Sequence, residues 1–146
     1  MLTNVELTKI LRDNGYKVTP QRLAVYEVLA SKRWHPSAEM LYNQLQPRYP
    51  AMSFATVYKT VEILEKLKLI QVLNSGEDCF RYDAYIEEHY HLQCEKCGEL
   101  YDVELPGSAR ELTAMVEAES GFEVHNRQFY FFGVCQKCRE IGRAHV

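Results

Sequence analysis

Ser53-Phe54-Ala55-Thr56-Val57-Tyr58-Lys59, continuing through Val61, Leu64 and Leu67 into Leu69-Ile70-Gln71-Val72-Leu73, decides the fold of this 146-residue chain. Ser53 is a helix N-cap, and Val57, Val61, Leu64 and Leu67 recur on one helical stripe, so the segment opens as an amphipathic helix. Leu69 to Leu73 then reads as a strand, Asn74 to Asp78 as a turn, and Cys79-Phe80-Arg81-Tyr82 as the returning strand of a hairpin. Upstream, the capping box Thr3-Asn4-Val5-Glu6 opens a helix from Asn4 to Asn14 that Gly15 ends. Thr19-Pro20 starts a second helix through Leu23, Tyr26, Val28 and Leu29. Ser37 starts a third, through Met40, Leu41, Tyr42 and Leu45, which Pro47 and Pro50 terminate. Helices followed by a hairpin are the order of a winged helix-turn-helix, in which the last helix enters the major groove and the hairpin braces against the backbone.

Beyond Asp83 the pattern changes. His89 to Cys94, Leu100 to Glu104 and Glu123 to Val134 alternate as strands, and Ser108 to Ser120 reads as a helix through Leu112, Met115 and Val116. Asp83 to Glu88 is the natural hinge, and the whole reads as α+β. Charge divides in the same place: residues 1 to 82 hold 11 Lys/Arg against 8 Asp/Glu, and residues 83 to 146 hold 6 against 12. The basic half is the one suited to a polyanion, although that balance also fits any solvated helical domain. With no apolar stretch of secretory or membrane-spanning length, the chain is expected to be cytoplasmic and to have no membrane partner.

In a reducing compartment, paired cysteines read as metal ligands. Cys94-Glu95-Lys96-Cys97 and Cys135-Gln136-Lys137-Cys138 supply four thiolates, a closed tetrahedral set for structural Zn2+. Cys79 stands outside both knuckles and reads as a small hydrophobe in the hairpin. His89 and His91 are two apart on an expected strand, so their rings share a face and can grip one ion. Imidazoles flanked by carboxylates match Fe2+, Mn2+ or Zn2+ in an exchangeable site. On the fourth helix, Thr56, Tyr58 and Lys59 lie off the apolar stripe, where they can reach bases or phosphates or simply face solvent.

The order of five motifs narrows these alternatives. They are Tyr16-Lys17-Val18-Thr19-Pro20-Gln21-Arg22, Arg33-Trp34-His35-Pro36-Ser37-Ala38-Glu39, Ser53 to Lys59, His89-Tyr90-His91-Leu92-Gln93-Cys94-Glu95-Lys96-Cys97-Gly98 and Gly133-Val134-Cys135-Gln136-Lys137-Cys138. Together they closely resemble the ferric uptake regulator family of metal-dependent repressors along nearly the whole chain. The resemblance implies a winged DNA-binding domain over residues 1–83 and an α/β dimerisation domain over residues 84–146. It implies a homodimer on double-stranded operator DNA, with Lys17 in the minor groove, Tyr58 and Lys59 on bases, and Arg22 and Thr56 in the same face. Lys59 stands where the family more often has arginine, which removes bidentate fork geometry from one base contact.

By the same resemblance, His35, Asp83, His89, His91 and Asp102 form a regulatory site for Fe2+ or Mn2+. Aspartate at position 102, where iron-sensing members carry glutamate, points to the peroxide-responsive branch. There H2O2 is the signal, and iron-dependent oxidation of His35 or His89 ejects the ion and releases DNA. The family's additional site uses a histidine on the last long strand, where this chain has Arg127, with His125 two residues earlier. His145 falls in a tail read as disordered. An iron-sensing repressor without a peroxide response remains the alternative. A zinc hydrolase lacks any H-E-x-x-H or similar motif to supply a base, and a zinc-ribbon adaptor leaves the winged-helix half unexplained.

Overall fold

A computed structural model describes residues 1–74, 79–105 and 109–144, with the backbone alone for residues 142–144. The expected turn at 75–78, the start of the fifth helix at Ser108, and His145 lie outside the described residues. The chain forms two compact units, Met1–Glu87 and Glu88–Val146. The division thus falls after Glu87, within the expected hinge but later than Asp83.

The first unit contains α1 (Asn4–Asp13), α2 (Pro20–Ala30), α3 (Ala38–Leu45), α4 (Phe54–Lys66) and the strands β1 (Gln71–Leu73) and β2 (Arg81–Asp83). Each helix starts where its cap directs. Thr3 and Glu6 complete a reciprocal capping box on α1, while Thr19, Ser37 and Ser53 accept the N–H of Arg22, Met40 and Thr56. α1 and α4 end alike. Gly15 adopts φ 80°, with Tyr16 N–H on Leu11 O (2.9 Å) and Gly15 N–H on Arg12 O (3.0 Å). At the end of α4, Lys68 takes that left-handed position at φ 59°, with Leu69 N–H on Leu64 O (2.9 Å) and Lys68 N–H on Glu65 O (2.8 Å).

Leu7, Leu11, Val25, Leu29, Leu41, Leu45, Val57, Val61 and Leu64 interlock in a single core. Full burial of each leucine stabilises the unit by about 1.5–3 kcal/mol before chain entropy is counted. The hairpin is antiparallel, pairing Val72 with Tyr82. Its second strand is fastened to the loop before α3: Tyr82 N–H donates to Pro36 O (2.9 Å) and Arg81 Nη1 to His35 O (3.0 Å). Cys79, read as a packed hydrophobe, is instead exposed just ahead of β2, because the returning strand begins only at Arg81.

The second unit has a three-stranded sheet of order β4-β3-β5, from β3 (Tyr90–Cys94), β4 (Leu100–Val103) and β5 (Tyr130–Gly133), with α5 (Arg110–Ser120) and α6 (Gln136–Ala144). β3 and β4 are antiparallel, with His91 opposite Asp102; β3 and β5 are parallel, with Leu92 opposite Phe131. The long strand expected from Glu123 is only β5. Residues 122–129 carry no strand, since Val124 N–H is taken by Glu117 Oε2 (3.2 Å) and Arg127 reaches Glu88 instead of extending a ladder. α6 runs into the stretch read as a tail. Its first turn places Cys138 one turn after Cys135, with Arg139 N–H on Cys135 O (3.0 Å).

Lys68 holds a side-chain-bearing residue in a conformation that glycine adopts freely. Lys68→Gly is expected to stabilise the first unit by about 0.5–1 kcal/mol, read as a higher urea midpoint at unchanged slope. A lower midpoint contradicts the assigned helix end.

Candidate metal centres and nucleic-acid face

Four sulfurs converge where β3 ends. The knuckle turns through Gly98, at φ 77° and with its N–H on Cys94 O (2.9 Å), a backbone that places Cys97 beside Cys94. Glu95 N–H donates to Gly133 O (2.7 Å), which brings Cys135 and the start of α6 alongside. The Sγ atoms of Cys94, Cys97, Cys135 and Cys138 all lie within 4.8 Å of one another. Cys97 and Cys135 are 3.8 Å apart, nearly twice a disulfide length and equal to the about 3.8 Å edge of a tetrahedron with Zn–S bonds of about 2.3 Å. The donor set and its spacing therefore fit zinc.

Backbone N–H groups of Cys135 and Cys97, each 3.4 Å from Cys94 Sγ, lower the Cys94 thiol to about 6, so it is a ready thiolate ligand. Cys138 is pushed up to about 12, first by its hydrogen bond with Cys135 and then by burial. The thiols share their remaining protons, which a cation displaces on binding.

Each unit carries its own His/Asp donors. In the first, buried His35 and buried Asp83 face each other with Nε2 and Oδ2 3.6 Å apart, while Asp83 Oδ1 accepts the Tyr85 N–H at 2.9 Å. The ties from Arg81 and Tyr82 to the His35-Pro36 backbone set this approach. Arg81 was not singled out from sequence, because its role is a contact with a backbone carbonyl distant along the chain. In the second unit, Asp102 Oδ1 lies 3.5 Å from His89 Nε2 and 3.8 Å from His91 Nε2. The two rings stand edge to face at 4.5 Å, both nearly inaccessible to solvent. His91 and Asp102 are cross-strand partners, so the sheet register makes this set. His89 sits one residue ahead of β3 rather than on it, yet its ring joins the same side.

These separations exceed the about 3.2 Å reach of an N–H···O bond and approach the about 3.4 Å edge of a tetrahedron with bonds of about 2.1 Å. Nitrogen and carboxylate donors at that spacing fit a divalent cation of intermediate hardness.

Arg127 is not a ligand, because a guanidinium has no lone pair to give. Its Nη2 lies 3.0 Å from Glu88 Oε2, and Glu88 Oε1 accepts the Ala109 N–H (3.1 Å) at the start of α5. Arg127 and then that N–H hold the Glu88 carboxyl below its ordinary range. His125 pairs on the surface with Glu123 at 3.1 Å, away from any His/Cys/Asp/Glu cluster among the described residues.

The proposed DNA-facing residues all belong to the first unit. Lys17, Tyr58 and Lys59 are exposed, and Thr56 is half-buried with its hydroxyl 2.9 Å from that of Ser53. Arg22 is engaged internally as well: its Nη1 donates to Lys17 O at 2.8 Å and shapes the loop that presents Lys17. Phe54, passed over in the sequence, is as exposed as Tyr58, at 44% each.

Comparison with known proteins follows the same lines. The model of the ferric uptake regulator family matches residues 13–132. A peroxide operon regulator of Bacillus subtilis is 35% identical over 133 residues, which cover 91% of each chain. Among solved structures, the Campylobacter jejuni peroxide stress regulator is 33% identical with a TM-score of 0.73, covering 91% of this chain and 99% of that one. The Helicobacter pylori ferric uptake regulator, 26% identical, has a TM-score of 0.78 over 91% and 89%.

Cys135→Ser removes one corner of the sulfur tetrahedron. Elemental analysis is expected to fall from one zinc per chain to about none, with loss of the thermal transition of the second unit. Full zinc retention contradicts a four-thiolate site.

Proposed function

The chain belongs to the ferric uptake regulator family, and from that premise we propose that it is a cytoplasmic, metal-dependent transcriptional repressor that peroxide inactivates. It binds operator DNA as a homodimer when Fe2+ or Mn2+ is held by His35, Asp83, His89, His91 and Asp102. The observation that carries this reading is the pair of incomplete donor sets. The first unit offers two ligand-spaced donors and the second three, each fewer than the four to six that such cations take.

In this reading, His35 and Asp83 join His89, His91 and Asp102 on one ion, which fixes the angle between the units. In a homodimer that angle sets the distance between the two copies of α4, and half-sites on a duplex accept only one spacing. The second unit is the dimerisation unit: Leu112, Met115, Phe122, Phe131 and Phe132 are about half exposed or more, an apolar surface suited to a second copy. Lys17, Arg22, Thr56, Tyr58 and Lys59 then serve phosphates and base edges. No helix among the described residues is long and apolar enough to cross a membrane.

Bound Fe2+ would supply reductive cleavage of H2O2 beside the imidazoles, chemistry that Mn2+ does not supply. His35 and His89 are the residues to be oxidised, and a ligand so changed no longer holds its place. Asp102, with its shorter side chain, leaves room that glutamate fills, and relatives named as peroxide regulators support this branch. Iron sensing without peroxide response is the second reading, favoured by the fold shared with the Helicobacter pylori regulator.

Fluorescence anisotropy on a duplex selected from a random library by the Mn2+-loaded protein tests both readings. Release by H2O2 is expected from the Fe2+ protein and not from the Mn2+ protein; equal persistence of both complexes supports iron sensing instead. Asp102→Glu should keep metal-dependent binding and slow peroxide release about tenfold or more, whereas His89→Ala should abolish metal-dependent binding. Unchanged release from Asp102→Glu removes the argument from Asp102.

Lys59→Ala is expected to weaken specific binding by about 1–3 kcal/mol, and Lys17→Ala to lower the salt slope by about 1. Unaltered affinity and slope in both variants contradict the DNA face.

A further inference from the structure

Phe54 is the first residue of α4, directly after the Ser53 cap, and its ring is 44% exposed. An apolar ring of that size gains nothing from water, and its neighbours keep it out. Tyr42, half-buried on α3, meets it edge to face with centroids 5.8 Å apart and planes at 76°, while Tyr58, one turn on along α4, lies 6.2 Å away. Residues four apart on a helix share a face, so Phe54 and Tyr58 form one aromatic surface at the N-terminal end of α4. The surroundings are polar and cationic rather than those of an apolar protein interface. Ser53 and Thr56 hydroxyls lie alongside, Lys59 is exposed on the next turn, and residues 1–82 carry three more basic than acidic side chains.

In helix-turn-helix proteins the N-terminal residues of the recognition helix meet the base edges, and an apolar side chain there can contact the C5-methyl of thymine. We infer that Phe54 is a specificity-determining residue that reads a thymine methyl group in the operator, with Tyr42 holding its ring in place. This rests on the repressor reading given above and adds a reader of base identity to it. Phosphate contacts from Lys17 position the protein without distinguishing sequence, and Lys59, a donor only, addresses acceptor atoms on the bases. Phe54 addresses the one apolar group in the major groove. Because Tyr42 fixes the ring before binding, little side-chain entropy is lost on contact.

The test uses the full-length Mn2+-loaded protein and the duplex it selects from a random library. Deoxyuridine, which lacks only the methyl, replaces each thymine in turn. For the wild type, one position in each half-site is expected to lose about fourfold in affinity, the worth of one buried methyl group. Phe54→Ala should bind the parent duplex about fourfold or more weakly and be indifferent to deoxyuridine at that position, while remaining sensitive to guanine replacements elsewhere. A methyl effect of the same size at every thymine in the wild type and Phe54→Ala overturns the inference and leaves the repressor reading standing. Failure of the wild type to select any sequence ends both. Phe54→Gln provides a check that does not rest on truncation, because glutamine recognises adenine. Repeated selection with it should replace thymine by another base at that position, and an unchanged consensus overturns the inference.

Discussion

The second unit has almost no hydrophobic core of its own. The clustered buried leucines and valines lie in the first unit, whereas among the described residues of the second the fully buried apolar side chains are Cys94 and Ala109. A sheet of three short strands with much of its aromatic surface in solvent does not repay the entropy of ordering its backbone. The four sulfurs meet that deficit. They join the end of β3, the turn to β4 and the start of α6, and Cys94 N–H on Glu99 O (3.0 Å) begins the ladder that puts His91 opposite Asp102. Zinc binding there is folding free energy. Zinc held there would build the frame on which His89, His91 and Asp102 stand together.

In the proposed reading, the division of the nitrogen and oxygen donors between two units is what would turn ligation into a switch. An ion that preferred the arrangement bringing both sets together would shift the proposed dimer toward it by that preference, about 1.4 kcal/mol per tenfold. Such coupling is reciprocal, so operator DNA would raise metal affinity by the same factor by which metal raised DNA affinity. Arg127 contributes differently. Bonded to Glu88, beside His89 and the start of α5, it gives the second unit a fixed cation that no change in metal supply removes.

The first unit was legible because its instructions are local. Thr3, Thr19, Ser37 and Ser53 each cap the helix that follows, Gly15 ends the first, and the apolar stripe of α4 is the buried one. The cysteine and histidine spacings likewise marked side chains that the structure draws together, since both rest on short turns or on strand register. Distant partners were not legible. Glu123 to Arg127 alternate like a strand, but Glu117 takes the Val124 N–H and Glu88 takes Arg127, contacts invisible to periodicity. α6 is polar and carries Gly142, and only the Cys135 and Cys138 spacing on one helical turn hinted at it. Phe54 was given no role from sequence, because its exposure depends on what α3 leaves uncovered.

Peptide mass spectrometry after brief exposure of the Fe2+-loaded protein to H2O2 decides whether peroxide acts through oxidation of a ligand histidine. The mass of one added oxygen atom is expected on the peptide containing His35 or His89, absent from the Mn2+-loaded control and about tenfold or more slower to appear in Asp102→Glu. Both histidines unmodified at a dose that releases DNA, or modified equally with Mn2+, would contradict it.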